Sequence, residues 1–461
     1  MSVLAAYIVP HPPILLPEVG RGEERKIAHT AASFRETARR IAARRPDTIV
    51  VVSPHATLYA DYFHISPGRH AQGDLSRFGV RGVSVTAAYD ETFARALSTR
   101  AAQAGLPAGT EGEREPRLDH GTLIPLRFIN EQYTDYRLVR VGLSGQSPLA
   151  HYRLGQCIAQ TAADLGRRVV LIASGDLSHK LTEDGPYGFA PEGPDFDREV
   201  TAAMASGDFL RFLTFDSAFC ENAAECGLRA FQILAGTLDG KAVSSELLSY
   251  EGPFGVGYGV AAFEVAGDDP SRCFAPRLDQ LAREKMERLR TGEDAYVRLA
   301  RHSLETYVRT GARAAVPMNL PAPLREERAG VFVSLKKDGE LRGCIGTIAP
   351  AAGSIAEEIV HNAVSAGCED PRFPRVREDE LPALVYSVDV LAPPEPIDSP
   401  DELDVRRYGV IVASGRRRGL LLPNLAGVDT VAQQIDIARQ KAGIGPDESY
   451  TLERFEVVRH K

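Results

Sequence analysis

Two histidines each follow a proline at the end of an apolar, β-branched run. His11 ends the run in "AAYIVPHPP", and His55 ends the run in "DTIVVVSPHATLY". Proline fixes φ and lacks a backbone donor, so the chain can neither continue as an inner strand nor begin a helix at these histidines. The two imidazoles are therefore expected at the ends of stiff strands, an arrangement that suits a preorganised metal site.

A third strand end carries further titratable side chains. The apolar run 168–173 leads into "SGDLSHKL", which contains Asp176 and His179. The carboxyl ends of parallel strands meet at one edge of a sheet, and α/β proteins bind their ligands there. We therefore expect His11, His55 and His179 to converge at one edge.

A metal site with two imidazoles needs a further ligand, and a later apolar segment offers one. In "CENAAECGLRAFQIL", Glu221 and Glu225 lie four residues apart, on one face of the helix predicted over 221–236. Two neutral imidazoles and one carboxylate form the facial triad of non-haem Fe(II) oxygenases, which leaves room for substrate and dioxygen. Such a site needs an acid or base, and His179 and His120, in "RLDHGTLIPL", are candidates. A purely structural role of the histidines stays open.

The elements that would position these residues alternate between strand and helix. Residue periodicity predicts strands in the first half at 3–9, 48–53, 136–142, 168–173 and 255–267. It predicts helices between and after them at 23–45, 90–104, 148–165, 195–214 and 221–236. This alternation is typical of an α/β domain with a largely parallel, helix-flanked sheet.

The second half has a different pattern. Helices are predicted at 278–290 and 293–309, and strands at 329–349 and 383–391. They do not alternate regularly, which predicts an α+β domain. Because the polar, proline-containing stretch 267–277 separates the two patterns, the predicted parts are a first domain, a linker with a connecting helix, and a second domain, over 1–268, 269–291 and 292–461.

Composition and charge exclude several classes of protein. The 461 residues are 44% hydrophobic and carry a net charge of −8 without a basic stripe, which argues against nucleic acid or an anionic membrane as partner. No apolar run approaches the ~18 residues that span a bilayer. The six cysteines form no C-x-x-C pair, so neither a disulfide framework nor a zinc–thiolate cluster is expected and a cytoplasmic location fits.

The first half resembles the LigB-type class III extradiol dioxygenases and their relatives in the Memo family. The resemblance covers roughly residues 1–268 and is carried, in this order, by "PHPP", "SPHA", "LDHGTLIPL", "SGDLSH" and "ECGLRAFQIL". It implies a doubly wound α/β domain with a mononuclear Fe(II) ion, dioxygen and a small, catechol-like aromatic substrate whose ring opens next to its two hydroxyls. It also implies association with a second subunit or with further copies of the chain.

The resemblance assigns roles to individual residues. His11, His55 and Glu225 match the family's metal ligands, and His179 matches its catalytic acid/base. His120 matches a histidine that helps to position substrate or oxygen. Asp176, in the same loop as His179, is a further catalytic candidate.

Memo-type relatives imply a different ligand and a different function. They place a cysteine where the dioxygenases place the glutamate, and here Glu225 and Cys226 are adjacent. Side chains ~100° apart on a helix do not easily reach one ion together. A thiolate favours copper or zinc over oxygen-activating iron. The alternative is therefore a non-enzymatic, metal-binding or assembly protein.

The second half, over about 292–461, resembles the AMME-syndrome candidate protein family. The matching stretches include "GEDAYVRLARHSLETYV", "LRGCIGTI" and "CEDPRFP". The resemblance implies an α+β fold of two unequal lobes with a cleft near Cys344, and no particular reaction. Proteins of the Memo, AMME and radical SAM types recur together in prokaryotes, so a radical SAM protein is an expected partner of this fusion.

Overall fold

The computed structural model describes residues 2–337, 339–425 and 427–461. The chain divides into two compact units, Met1–Asp279 and Gln280–Lys461, and the division falls inside the predicted linker 269–291. In the described part of the chain, no helix is both long enough and apolar enough to cross a bilayer.

The first unit is built on a mixed sheet flanked by helices. Its strands are β1 (Val3–Val9), β2 (Thr48–Ser53), β3 (Phe63–His64), β4 (His70–Leu75), β5 (Val80–Ala88), β6 (Ala108–Gly109), β7 (Arg137–Gly142), β8 (Val169–Ser174), β9 (Lys241–Glu251) and β10 (Tyr258–Asp268). Its helices are α1 (Pro17–Gly20), α2 (Ala28–Arg44), α3 (Glu91–Gln103), α4 (His120–Ile129), α5 (Pro148–Asp164), α6 (Glu192–Ser206), α7 (Phe209–Leu213), α8 (Ser217–Ala223) and α9 (Leu228–Thr237).

The order of the main sheet explains where the strand-end histidines meet. The order is β7-β2-β8-β1-β10-β9. Strands β7, β2, β8 and β1 run parallel, while β10 is antiparallel to both β1 and β9. The predicted α/β fold with a largely parallel sheet is therefore confirmed. The strands that precede His55, Asp176 and His11 follow one another in the sheet, with β8 between β2 and β1.

Both faces of this sheet are buried, which is why its strands read as continuous apolar runs. On one face, α2 and α4 pack over alternate residues of the strands, such as Tyr7 and Val9. On the other face, α3, α5 and α9 pack over the remaining residues, such as Ile8. The core thus holds β1, β2 and β8 rigidly and delivers their last residues to one edge.

Two helices predicted as continuous are broken. The segment 195–214 forms α6 and α7, which are separated at Gly207 with φ 69°. The segment 221–236 forms α8 and α9, and α8 ends at Ala224, which has the left-handed φ of 52°. The prediction of one helix over 221–236 was wrong because a residue in this conformation terminates a helix. Glu221 and Glu225 consequently do not share one helix face.

The second unit is an α+β structure, as predicted. Helix α10 (Ala275–Gly292) crosses the division, and the helices after it are α11 (Ala295–Thr310), α12 (Ala322–Glu326), α13 (Ile355–Cys368) and α14 (Val431–Lys441). The strands are β11 (Gly330–Lys337), β12 (Glu340–Gly346), β13 (Leu384–Leu391), β14 (Glu395–Ile397), β15 (Gly409–Ser414), β16 (Arg417–Leu421), β17 (Thr451–Phe455) and β18 (Val457–His460). They form antiparallel sheets in the orders β12-β11-β13-β18 and β14-β17-β15-β16.

A buried carboxyl group in α6 predicts a pH dependence of stability. Asp197 is 1% exposed and accepts hydrogen bonds from the Ser178 amide (2.8 Å) and the Tyr250 hydroxyl (2.7 Å). Burial raises its pKa from 3.8 to about 7. The folded protein therefore keeps a proton that the unfolded chain has released, so this group's contribution falls as pH rises from near 4 to about 7.

We expect Asp197→Asn to remove this loss, which amounts to at most about 1.4 kcal/mol per pH unit. Urea unfolding of the full chain at about pH 5 and about pH 7.5 measures the slope. Asp195→Asn, on the same helix but with half of its side chain exposed, should keep the wild-type slope. An equal change of the free energy of unfolding with pH in all three proteins would contradict the assignment of this pH dependence to Asp197.

Candidate metal centre

Three neighbouring parts of the first unit bring two imidazoles and a thiol together. His11 Nε2 lies 3.0 Å from His55 Nε2 and 3.8 Å from Cys226 Sγ. One donor atom from each of these residues lies within 4.8 Å of the others. The convergence of the first two strand ends thus produces a compact cluster of nitrogen and sulfur donors.

The surroundings of His11 fix which ring nitrogen faces the cluster. The Ser174 hydroxyl donates its single proton to the Gly121 carbonyl (2.6 Å), so it accepts at 3.0 Å from Nδ1 of His11. Nε2 then carries the lone pair and points towards His55. Burial, together with the neighbouring His55 ring, holds the pKa of His11 well below its usual value. The ring is neutral at pH 7, the form that binds metals.

His55 and His120 form the side of the cluster that faces solvent. Their ring centroids lie 4.0 Å apart, and His120 is 5.3 Å from the ring of His11. Loss of hydration lowers the pKa of His55, and that of His120 falls to about 3, with the two other imidazoles contributing. His120 is the first residue of α4, which Asp119 caps through the Thr122 amide.

Cys226 reaches the histidines because the chain turns sharply between α8 and α9. A Cβ on Gly175, just after β8, would lie 2.1 Å from Cα of Gly227, so the two backbones touch there. The Asp176 amide donates to Cys226 Sγ (3.3 Å), and the His11 amide donates to Asp176 Oδ1 (2.8 Å). Burial raises the pKa of the Cys226 thiol, and metal binding would displace its proton.

Glu225, the carboxylate ligand predicted from the sequence, lies elsewhere. Its Oε2 accepts from the Leu228 amide (2.6 Å) at the start of α9. Burial raises its pKa to about 7. The expected placement rested on a continuous helix, and the break after Ala223 turns this carboxylate to the helix terminus. The structure thus brings Cys226, and not Glu225, to the two histidines, while the ligand set itself stays a prediction.

The donor set fits a transition-metal ion. A tetrahedral ion with bonds of about 2.0 Å to nitrogen and 2.3 Å to sulfur separates neighbouring donors by roughly 3.3–3.6 Å. The distances of 3.0 Å and 3.8 Å from His11 Nε2 bracket this range. Small side-chain rotations would allow His11, His55 and Cys226 to hold one ion, and His120 lies beside these donors.

The other candidate catalytic residues line the same region. His179 Nδ1 lies 2.6 Å from the Ala224 carbonyl, which only accepts, so Nδ1 is protonated and Nε2 carries the lone pair. The ring of Tyr187 packs 5.3 Å from it. Burial raises the pKa of Asp176 to about 6, and its carboxylate orders the backbone at His11. The catalytic roles of His179, His120 and Asp176 stay predictions.

A cavity of about 250 Å³ opens beside His55 and His120. Its wall includes Phe78, whose ring centroid lies 5.2 Å from that of His120, and Arg77 from the segment between β4 and β5. The sequence prediction did not include these residues. The period-2 alternation of β5 (Val80–Ala88) was an available signal for a strand, but no motif marks the turn before it.

Cys344, the candidate of the second unit, lies on β12 and is half-buried. The Ser334 hydroxyl donates to its Sγ (3.2 Å), and its amide donates to Asp370 Oδ2 (2.9 Å). Burial raises the pKa of the thiol. Because the thiolate is the nucleophile of cysteine chemistry, this environment favours a neutral thiol.

Two families match the chain. Residues 5–261 match the family described as the catalytic LigB subunit of aromatic ring-opening dioxygenase. The chain belongs to the LigB family. Residues 297–460 match the family described as AMMECR1, so this LigB protein is a fusion of two parts. Both resemblances predicted from the sequence are thereby confirmed.

Relatives of this LigB protein occur in other organisms. A protein of Clostridium acetobutylicum is 43% identical over 469 residues, and the match covers 100% of both chains. A protein of Thermotoga maritima is 50% identical over 172 residues, which are 37% of this chain and 99% of its own. The full-length match shows that the two-part arrangement recurs in a second organism.

Two solved structures are similar to parts of the chain. An uncharacterised protein from Pyrococcus horikoshii has a TM-score of 0.34 at 35% identity and covers 36% of this chain and 89% of its own. An uncharacterised protein from Escherichia coli K12 has a TM-score of 0.38 at 17% identity and covers 57% of this chain and 99% of its own.

The hydrogen bond to Ser174 should matter for metal binding. We expect Ser174→Ala to weaken the affinity for Zn²⁺ about tenfold or more, because partners that orient a ligating imidazole typically contribute this much. Competition with a chromophoric chelator measures the affinity. Ser303→Ala is the matched control, since Ser303 also is a buried serine that donates to a backbone carbonyl, that of Val360, in the second unit. An unchanged affinity in Ser174→Ala would show that the tautomer is fixed in another way.

Proposed function

We propose that the LigB part of the chain is a transition-metal-binding protein whose ion is held by His11, His55 and Cys226. The observation that carries the proposal is the cluster of these three donors within 4.8 Å, built on the ends of β1 and β2, which lie on either side of β8, and on a tight turn. The family supports it, since LigB-type proteins bind a metal ion. This is the Memo-like alternative predicted from the sequence.

The donor set favours a soft or borderline ion. Thiolate and imidazole together suit copper and zinc, whereas oxygen-activating Fe(II) is usually held by two histidines and a carboxylate. The carboxylates around the cluster already have partners: Glu225 accepts at the start of α9, Asp176 accepts from the amide of His11, and Asp119 accepts from the Ser53 hydroxyl and the Thr122 amide. Copper or zinc is therefore the proposed ion, and Fe(II) the alternative.

The residues around the donors support a further role in binding a small molecule. His120 and His55 border the cavity of about 250 Å³, and Phe78 provides an apolar wall. A bound metal would supply a Lewis-acidic or redox-active centre at this wall. His120 keeps a neutral ring that can accept or donate one hydrogen bond to a ligand in the cavity.

A second candidate function is a ring-opening oxygenase, and the placement of His179 favours it. The carbonyl of Ala224 fixes the His179 tautomer with a free lone pair at Nε2, which is what a general base needs. In this function the ion is Fe(II), the substrates are dioxygen and a catechol-like aromatic compound, and His179 moves the proton. Glu225 would have to leave the Leu228 amide to become a ligand.

The AMMECR1 part adds a proposal about partners. The resemblance of the two parts to proteins that recur with radical SAM proteins supports a radical SAM partner. In that setting the metal-binding part serves assembly or delivery and not substrate turnover. Co-purification with such a protein from a native host tests this proposal.

Metal content tests the ligand set. We expect the wild-type chain, loaded with Zn²⁺, Cu⁺ or anaerobic Fe²⁺ and desalted, to retain one ion of zinc or copper. Cys226→Ser and His55→Ala should lose it, because each removes one of three protein ligands. Glu225→Gln is the matched control and should keep the ion, since the Gln amide oxygen can still accept from the Leu228 amide. Elemental analysis of each variant measures the content.

Retention of the ion by Cys226→Ser together with its loss in Glu225→Gln would overturn the proposed ligand set and restore the iron site. A loss in all variants together with a lowered melting temperature would point to unfolding, so circular dichroism accompanies each measurement.

Oxygen uptake separates the two candidate functions. Under the second function, iron-loaded wild-type protein should consume dioxygen with a catechol, and His179→Gln should slow the uptake about 10²–10⁴-fold, the usual contribution of a general base. Under the first function, no diol or aminophenol stimulates uptake in either protein. An oxygen electrode with a panel of such compounds makes the measurement.

A further inference from the structure

One face of the sheet β12-β11-β13-β18 carries small polar side chains at its centre. Ser334 on β11 lies directly opposite Cys344 on β12 and opposite Ser387 on β13. Directly opposite residues share a face of a sheet, and the alternate residues of β11 form the apolar core on the other face. Ser334, Cys344 and Ser387 are all half-buried. We call these three residues the polar row.

A first arginine stands at the edge of the polar row and is held rigidly. Asp370, 4% exposed, accepts from Nε (2.9 Å) and Nη2 (2.7 Å) of Arg372 and from the amide of Cys344 (2.9 Å). Arg372 Nη2 also donates to the Cys344 carbonyl (3.0 Å). The guanidinium lowers the pKa of Asp370 to about 2. Arg372 is therefore fixed beside Cys344 at neutral pH.

A second arginine is held in the same way on the other side. Asp389 is 2% exposed and lies two residues after Ser387, so both share a face. Arg459, directly opposite on β18, donates from Nε (2.7 Å) and Nη2 (2.9 Å) to its carboxylate. Within the described residues, Nη1 of Arg372 and Nη1 of Arg459 make no hydrogen bond. In each arginine the two N–H groups of Nη1 are thus available for another partner.

A lysine supplies a positive charge that forms no ion pair with a carboxylate of the described residues. Lys441 ends α14 and interacts electrostatically with Cys344 and Arg372. Desolvation lowers its pKa, and the positive charge of Arg372 acts in the same direction. Among the residues that the structure describes, Nζ of Lys441 donates one hydrogen bond, to the Leu420 carbonyl, and this bond is long at 3.5 Å. An anion bound between Lys441 and Arg372 would reduce the repulsion between these two positive charges.

We propose that the polar row, Arg372, Arg459 and Lys441 form a binding site for a small molecule that carries a phosphate group. A carboxylate pairs best with the Nε/Nη2 edge of arginine, and in both arginines Asp370 or Asp389 already occupies that edge. What remains are donors from separate elements, namely two Nη1 groups, an ammonium group and the Ser387 hydroxyl, since the Ser334 hydroxyl donates to Cys344 Sγ. Such donors match the several oxygens of a phosphate. The site lies wholly in the AMMECR1 part and is independent of the metal centre.

Titration calorimetry of the full chain with inorganic phosphate tests the site. Metal-free protein and His55→Ala are both used, so that phosphate cannot bind through a metal ion. We expect saturable binding that Lys441→Gln weakens about tenfold or more, because a charge-assisted hydrogen bond typically contributes this much. Lys285→Gln, an exposed lysine of the same unit, is the matched control and should bind like the wild type. Arg372→Gln should weaken binding as Lys441→Gln does.

Sodium acetate distinguishes a phosphate site from a general anion site. We expect acetate to bind at least tenfold more weakly than phosphate. Equal binding of acetate and phosphate, absence of saturable phosphate binding, or an equal effect of Lys441→Gln and Lys285→Gln would each overturn the proposal. Because Lys441 is exposed at the end of its helix, its substitution leaves the core intact, and a melting curve verifies this. Loss of metal in His55→Ala with phosphate binding intact separates this proposal from the metal proposal.

Discussion

The contact between two glycine backbones holds the candidate metal centre together. Gly175 follows β8 and Gly227 precedes α9, and a Cβ on the first would lie 2.1 Å from Cα of the second. This approach presses the turn between α8 and α9 against the strand ends. It is what lets the Asp176 amide reach the thiol of Cys226 and brings that thiol to 3.8 Å from His11. A side chain at either glycine would separate the sulfur from the nitrogen donors.

The part of the centre that comes from strands could be predicted because its signals are local. An apolar run closed by proline marks the ends of β1 and β2, and the observed strands Val3–Val9 and Thr48–Ser53 agree with the predicted ranges. The convergence of His11 and His55 follows from parallel packing alone. The sheet order could not be predicted, because it depends on which apolar faces meet in the folded chain.

The part that comes from a turn could not be predicted. Ala224 has no intrinsic preference for a left-handed φ, and alanine is the strongest helix former. Its φ of 52° is stable because the tertiary structure holds the segment, with the Ala223 and Ala224 carbonyls accepting from Ser178 and His179. Local propensity therefore predicted one continuous helix, and with it a shared face for Glu221 and Glu225. Which of the two side chains lies near the histidines, the thiol or the carboxylate, depends on backbone geometry that only long-range contacts create.

In the second unit, two glycines near Cys344 lie where the structure leaves no room for a side chain. A Cβ on Gly343 would lie 2.0 Å from the Ala366 carbonyl, and one on Gly346 would lie 2.3 Å from the ring of Phe332. The glycines on both sides of Cys344 thus allow close packing of β12, as their positions in the sequence suggest. The polar row could not be predicted from the sequence, because Ser334, Cys344 and Ser387 become neighbours only through the register of their strands.

The separation of the metal donors along the chain has a consequence for biosynthesis. His11 and His55 leave the ribosome well before Cys226, which lies 171 residues after His55, and domains generally fold as units during synthesis. Strand β10, which pairs with β1, is made later still. A nascent chain therefore exposes two histidines without their thiol for most of the time that the first unit is being translated. Under the proposed ligand set, stable loading of an ion would be a late event that follows completion of this unit.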